Sequence, residues 1–108
     1  ILNINNMRDI ENDRKSGKTT IAVKLGLKRA KIYHSILTFI SFFGFLAFNN
    51  IFEPQPWYRY IYLFFFLLLF KMLREIRFKS GHELDSYLKT TSLSGLLIAI
   101  SFVICINI

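Results

Sequence analysis

Two aspartates and four cations crowd into one short stretch near the start of this 108-residue chain. Asp9 and Asp13 are four residues apart, so on a helix they stand one above the other on a single face. Two carboxylates on one face suit a hard divalent cation. Magnesium in particular is held by one or two carboxylates, by water and by the oxygens of a substrate phosphate. Arg8, Arg14, Lys15 and Lys18 surround the pair and supply positive charge for the oxygens a metal leaves free. Asn5 and Asn6 precede it with further hydrogen-bonding groups. The chemistry these residue types share is that of an ionising diphosphate. On spacing alone, a solvated helix face laced with ion pairs is the commoner meaning of such a run. Its setting favours function, because the run abuts long apolar segments, where polar clusters are rare and tend to be used.

The remaining residues must position that run, and their composition is that of a membrane chain. Hydrophobic residues make up 53%, twelve of the residues are Phe, and charged residues are few and clumped. The net charge of +7 does not point to nucleic acid, since the basic residues sit between apolar spans rather than on one folded face. The first residues show no basic-then-apolar signal peptide. With no initiator Met, the chain reads as the C-terminal part of a longer protein. Cys105, the single cysteine, permits no internal disulfide and reads as a small packing residue.

The expected fold is all-α, a multi-pass transmembrane helical bundle. Residues 1–31 form the end of a preceding transmembrane helix, the polar run and a basic loop. Gly17 breaks the helix and lets the backbone approach a phosphate, and Gly26 ends the short apolar segment after it. Three complete spans follow, at 32–52, 57–73 and 91–108, each near the roughly twenty residues a bilayer core requires. His34 lies near the start of the first span, where an interfacial hydrogen-bonding role is commoner than a proton-handling one. Gly44 suggests close helix packing. A turn at Glu53-Pro54-Gln55-Pro56 leads to Trp57, Tyr58, Tyr60 and Tyr62, an aromatic belt. The run Phe64 to Phe70 has no polar face, so much of it is expected against lipid or a prenyl chain. Residues 74–89 form an amphipathic connector broken at Ser80-Gly81, in which Glu75, Glu83 and Asp85 alternate with cations. Ser92, Ser94 and Gly95 suit helix–helix contact in the last span.

Orientation follows from the basic residues. Eight Lys and Arg lie in residues 1–31, five in residues 71–89, and only Arg59 near the proline turn. That asymmetry puts the motif loop and the second connector together in the cytoplasm, and the connector could there help to close the site.

The run Asn5-Asn6-Met7-Arg8-Asp9-Ile10-Glu11-Asn12-Asp13, continuing through Gly17-Lys18-Thr19-Thr20-Ile21-Ala22-Val23-Lys24-Leu25-Gly26, resembles the second aspartate-rich motif of the UbiA superfamily of membrane prenyltransferases. It is most similar to the branch that prenylates 1,4-dihydroxy-2-naphthoate in menaquinone synthesis. That branch's pattern is N-N-x-R-D-x-x-x-D-x-x-x-G-K-x-T-x-A-V-x-L-G, and every fixed position is present. Glu83 to Leu93 resembles the segment leading into the family's last helix. The resemblance implies a magnesium-dependent transferase of the inner membrane. Its donor would be a polyprenyl diphosphate and its acceptor an aromatic acid; the products would be demethylmenaquinone, CO2 and diphosphate. It implies that Asp9 and Asp13 bind Mg2+ and that Lys18 contacts the diphosphate; the charges alone suggest that Arg14 or Lys15 helps Lys18. Asn5, Asn6 and Arg8 match motif positions that face substrate. Glu11 matches no fixed position. The family's first aspartate-rich motif is absent from these residues and is expected about five helices upstream, so the fragment is expected to be inactive alone. Other acceptors of the superfamily (4-hydroxybenzoate, homogentisate, a chlorin) remain open. So does a non-enzymatic transporter or scaffold whose polar run is an interaction loop.

Overall fold

The computed structural model describes residues 1–51 and 56–108, so most of the expected proline turn lies outside the described residues. The polar run is helical but broken. Helix α1 (Leu2–Arg8) and helix α2 (Ile10–Lys15) meet at Asp9, whose backbone leaves the helical region (φ −93°, ψ 9°). The spacing of Asp9 and Asp13 was read as one face of one helix; the structure puts a joint at Asp9. Backbone bonds from Asp9 N to Asn5 O (3.0 Å) and from Asp13 N to Asp9 O (2.8 Å) carry the helical path across that joint. Helix α3 (Ile21–Leu25) starts at Thr20, whose hydroxyl accepts from the Val23 N–H at 3.2 Å, and ends at Gly26 with φ 76°.

Helix α4 (Leu27–Ile51) and helix α6 (Asp85–Asn107) are long and apolar enough to cross a membrane. Between them a 3-10 helix (Trp57–Phe65) runs directly into helix α5 (Phe66–Ile76). The mixed segment extends about 35 Å at the usual rise per residue, a bilayer core being about 30 Å. A 3-10 turn (Gly81–Leu84) closed by a capping box, Ser80 with Glu83, joins α5 to α6. No strand occurs among the described residues, and the chain is a multi-pass transmembrane helical bundle, 51 Å in its longest dimension.

The helices turn apolar faces outward, unlike those of a water-soluble bundle. The buried stripe of α4 is Ala30, His34, Thr38 and Asn49, at helical spacing. Its exposed face carries Ile36, Ile40 and Phe43. In α6, Ser94 is 1% exposed, while Leu96, Ile100 and Val103 are outside. Hydrocarbon outside, with the few polar groups of the spans turned inward among apolar side chains, is the arrangement a lipid solvent selects.

Two cores lie within the bundle. One, at the end holding the polar run, is built from Ile4, Met7 and Ile10 with Ala22, Ala30, Met72, Ile76 and Leu84. Across that end Lys31 Nζ donates to the carbonyls of Lys79 (2.6 Å) and Arg77 (3.1 Å), the last carbonyls after α5. The other core is aromatic: Tyr62, Phe66, Ile98 and Cys105, flanked by Phe42, Phe45, Phe70 and Phe102. Cys105 is a buried packing residue here. The Phe64–Phe70 run therefore divides. Phe64, Leu67 and Leu68 face outward as expected, whereas Phe66 is 1% exposed and Phe70 stacks on Phe39. Helical winding forces this, because any all-apolar helix still turns one side toward its neighbours. Gly44 and Gly95 do not abut a neighbour, since a Cβ at either would meet nothing within 4 Å.

Phe66 meets Phe42 and Phe45 edge-on, at centroid distances of 5.3 and 5.9 Å. With lipid as the reference, those contacts rather than water exclusion set its contribution. Phe66→Ala is expected to cost about 1–3 kcal/mol, two aromatic pairs' worth, and Phe64→Ala, on the outer face, much less. Thermal unfolding of the detergent-solubilised full-length chain measures both, and equal losses would contradict the inward placement of Phe66.

Candidate functional site

At the α1–α2 joint the Arg8 guanidinium grips Asp9 with two bonds, Nε to Oδ1 at 2.8 Å and Nη2 to Oδ2 at 2.7 Å. Its third nitrogen reaches Asp85 Oδ1 at 3.0 Å, across the 77 residues separating motif from connector. His82 Nδ1 lies 3.4 Å from the other oxygen of Asp85. The Arg8 bonds hold the Asp9 carboxyl below the usual carboxylate range, with Lys18 and His82 adding to the effect. The same two carboxylates raise Arg8 in turn, so it stays charged. Because the folded value for Asp9 is depressed, the stabilisation from this group is present above the ordinary aspartate range. It is lost as pH falls through the lowered value. The fork is therefore intact throughout neutral pH.

Asp13 sits in a different environment. It is 7% exposed, and Lys18 Nζ lies 3.3 Å from its Oδ1. Its Oδ2 is buried and meets no hydrogen-bond partner among the described residues. The local sequence explains how Lys18 gets there. Helix α2 stops at Lys15, and Gly17 takes φ 73°, turning the chain back on itself. The Lys18 N–H then donates to the Asp13 carbonyl at 2.9 Å, and the Ser16 hydroxyl donates to the same carbonyl at 3.1 Å. A backbone ring of this kind fixes where the Lys18 side chain starts.

The structure thus gathers Arg8, Asp9, Asp13 and Lys18 at one end, with Asp85 and His82 arriving from the connector. Asn6 lines a cavity beneath them, and Asn5 is half-buried. Arg14 and Lys15 are exposed, Arg14 standing 3.8 Å from Glu11. Asp85 is the acidic residue of the connector that meets the motif. No spacing rule singles it out from Glu75 or Glu83, because its partner is remote in sequence. Among the described residues no three His, Cys, Asp or Glu side chains converge as a metal cluster. The buried, unpaired Oδ2 of Asp13 suits a cation that takes other ligands from water and phosphate, whereas both oxygens of Asp9 are bonded to Arg8.

Gly17 and Gly44 separate backbone strain from packing, since a Cβ at either meets nothing within 4 Å but only Gly17 has positive φ. Gly17→Ala is expected to cost about 1–2 kcal/mol in left-handed strain. Gly44→Ala should stay within about 0.5 kcal/mol. Thermal unfolding of the full-length protein tests this; a neutral Gly17→Ala would remove the turn as the device that sets Lys18.

Comparison with known proteins bears on what this end of the bundle is. Residues 1–93 match the model of the UbiA prenyltransferase family. The chain is 38% identical over 103 residues to a 1,4-dihydroxy-2-naphthoate octaprenyltransferase of Haemophilus influenzae, covering 94% of this chain and 33% of that protein. It is 40% identical over 76 residues to the protein of the same name from Escherichia coli, covering 70% of this chain and 24% of that one. The chain therefore spans a third or less of these relatives' length. No solved structure gives a significant match. The aspartate motif, the helices with apolar outer faces and the family match agree, and the chain belongs to the UbiA prenyltransferase family.

Proposed function

We propose that the protein containing this chain transfers a polyprenyl group from its diphosphate to 1,4-dihydroxy-2-naphthoate, at the cytoplasmic edge of the inner membrane, in menaquinone biosynthesis. The observation that carries the reading is the acidic pair of half-buried Asp9 and buried Asp13, with Lys18 folded back onto Asp13. The relatives, both named octaprenyltransferases for that naphthoate, support the same acceptor. The three spans assigned above enclose the tail of the donor in this reading. The loop carrying the motif and the connector carrying Asp85 share the cytoplasmic side, where thirteen of the fourteen Lys and Arg lie.

In the reaction the allylic carbon–oxygen bond of the donor breaks, and diphosphate leaves with the electron pair. A ring carbon of the acceptor bonds to the allylic carbon with a π pair. The bond to the acceptor's carboxylate then breaks, its pair restores the aromatic ring, and CO2 departs. Negative charge grows on the diphosphate as the first bond lengthens, so fixed cations there lower the barrier. Lys18 is set by the Gly17 turn to supply one. Arg14 and Lys15, exposed beside it, add to the attracting field. Arg8 holds Asp9 in place and ties it to the connector, and Asn5 and Asn6 offer neutral hydrogen bonds below. Asp9 and Asp13 would hold Mg2+, which when bound neutralises diphosphate oxygens. The apolar interior of the bundle excludes water from the allylic cation. The other aspartate-rich motif would come from residues upstream, so the 108 residues alone are expected to be inactive.

Asp13→Ala and Asp9→Ala in the full-length enzyme should each lower prenyl transfer by about 100-fold or more, the scale of losing a preorganised charged group, with membrane insertion unchanged. Near-normal turnover of either variant at low magnesium would overturn the metal assignment. Lys18→Ala should raise KM for the prenyl diphosphate, or lower kcat, while KM for the naphthoate is kept. A change confined to the acceptor would remove Lys18 from the diphosphate.

A further inference from the structure

The connector carries three acids, and they have different partners. Glu75 stands 3.9 Å from Lys71, and Glu83 stands 3.6 Å from Lys79 while closing the Ser80 capping box. Asp85 instead accepts from Arg8, Nη1 to Oδ1 at 3.0 Å. Packing brings it there. Its neighbour Leu84 is fully buried in the core that also holds Met7 and Ile10. Met7 and Ile10 bracket Arg8 and Asp9 in sequence, so one core fixes both ends of the Arg8–Asp85 pair. His82 lies 3.4 Å from the other oxygen of Asp85 and is almost fully exposed.

The charges give this contact a task. Arg8 bonds both oxygens of Asp9, so a cation ligated by Asp9 has a guanidinium for a neighbour. Arg8 and Asp9 cancel each other in charge, and that pair alone attracts a dication weakly. Asp85 brings a second carboxylate to the same guanidinium and leaves the trio with an excess of negative charge. The side chains of Arg8 and Asp9 are 25% and 29% exposed, so water screens this balance only in part. The planar fork adds a second effect. When the guanidinium gives up an oxygen of Asp9, it keeps its bond to Asp85 and is not left unpaired, which lowers the cost of the exchange. An acid in the first turn of α6 also favours the helix macrodipole, and that purely structural role is what a test must separate.

We propose that Asp85 is a positioning residue for the metal–diphosphate end of the site, acting through Arg8 to leave Asp9 available to a divalent cation. The assignment rests on the transferase reading above for the nature of the ligand, but its test is one of binding and not of turnover. The probe is trace farnesyl diphosphate, bound at equilibrium to the detergent-solubilised full-length protein over a range of magnesium concentrations, with no acceptor present. Asp85→Asn keeps the size and an acceptor oxygen but removes the charge. It is expected to raise the magnesium concentration for half-maximal binding by about three-fold or more, the scale of one partly screened charge facing a dication. Binding at saturating magnesium should stay within about two-fold, as the charge acts on the metal and not on the lipid. Asp85→Glu should restore most of the magnesium requirement of the wild type. An unchanged requirement in Asp85→Asn overturns the proposal. So does a loss that is equal at every magnesium concentration, or one that Asp85→Glu does not reverse, since a role limited to starting α6 leaves the metal dependence alone. If Asp85→Asn fails to insert in the membrane, Asp85→Ser, a favoured residue at helix starts, decides on the same measurement. Wild-type protein that shows this Asp85-dependent magnesium binding yet transfers no prenyl group would keep the positioning role and remove the transferase. Normal transfer with an unaltered magnesium requirement in Asp85→Asn would do the reverse.

Discussion

In hydrocarbon every unpaired polar group carries a penalty that water would have removed, and this constraint governs the arrangement of the helices. Its effect is visible residue by residue. Ser35, Thr38 and Ser41 in α4, and Thr90, Thr91 and Ser101 in α6, each donate a hydroxyl to the carbonyl four residues earlier. Asn50 and Asn107 do the same with their amides. A side chain so engaged can face lipid at little cost. The groups that cannot bond locally, such as His34 and Asn3, are turned inward. What remains outside is Leu, Ile, Val and Phe.

That constraint relaxes at the end where the polar run lies, and there ion pairs take over as the organising contact. Arg8 spans two elements because its planar fork can bond one carboxylate with two nitrogens and a second with the third. The result fixes the α1–α2 joint against the connector. Asp9 and Asp13, equivalent by spacing, become unlike in environment: one is held on both oxygens by Arg8, the other is buried with a lysine on one oxygen alone. Two acids of the same kind thus have different tasks open to them.

Much of this was legible in the residues. The apolar runs gave the helices, and the glycines at 17 and 26 marked turns that carry positive φ. The motif end and the connector were expected on one side, and the Arg8–Asp85 bond joins them. Three features were not legible. The break at Asp9 leaves the hydrogen-bond path helical, so no Pro or Gly signals it. The inward turn of Phe66 depends on which neighbours α5 meets, and a run without a polar face does not encode that. His34 reads as an interfacial residue by position, and only the packing of α1 on α4 makes it a buried one. In each case the deciding partner is distant in the chain.

The winding of Trp57–Phe65 has a mechanical consequence. A 3-10 helix rises about 2.0 Å per residue against about 1.5 Å for an α-helix, so nine residues wound this way reach about 4–5 Å further. Twenty residues of α-helix would span about 30 Å, the thickness of a bilayer core, so the 3-10 winding carries exposed Trp57 about 4–5 Å beyond it, into the interface. Rewinding it as α-helix would pull that indole back toward the acyl chains. Lipid thickness therefore bears directly on the pitch of this segment, and through Tyr62 on the aromatic core it anchors.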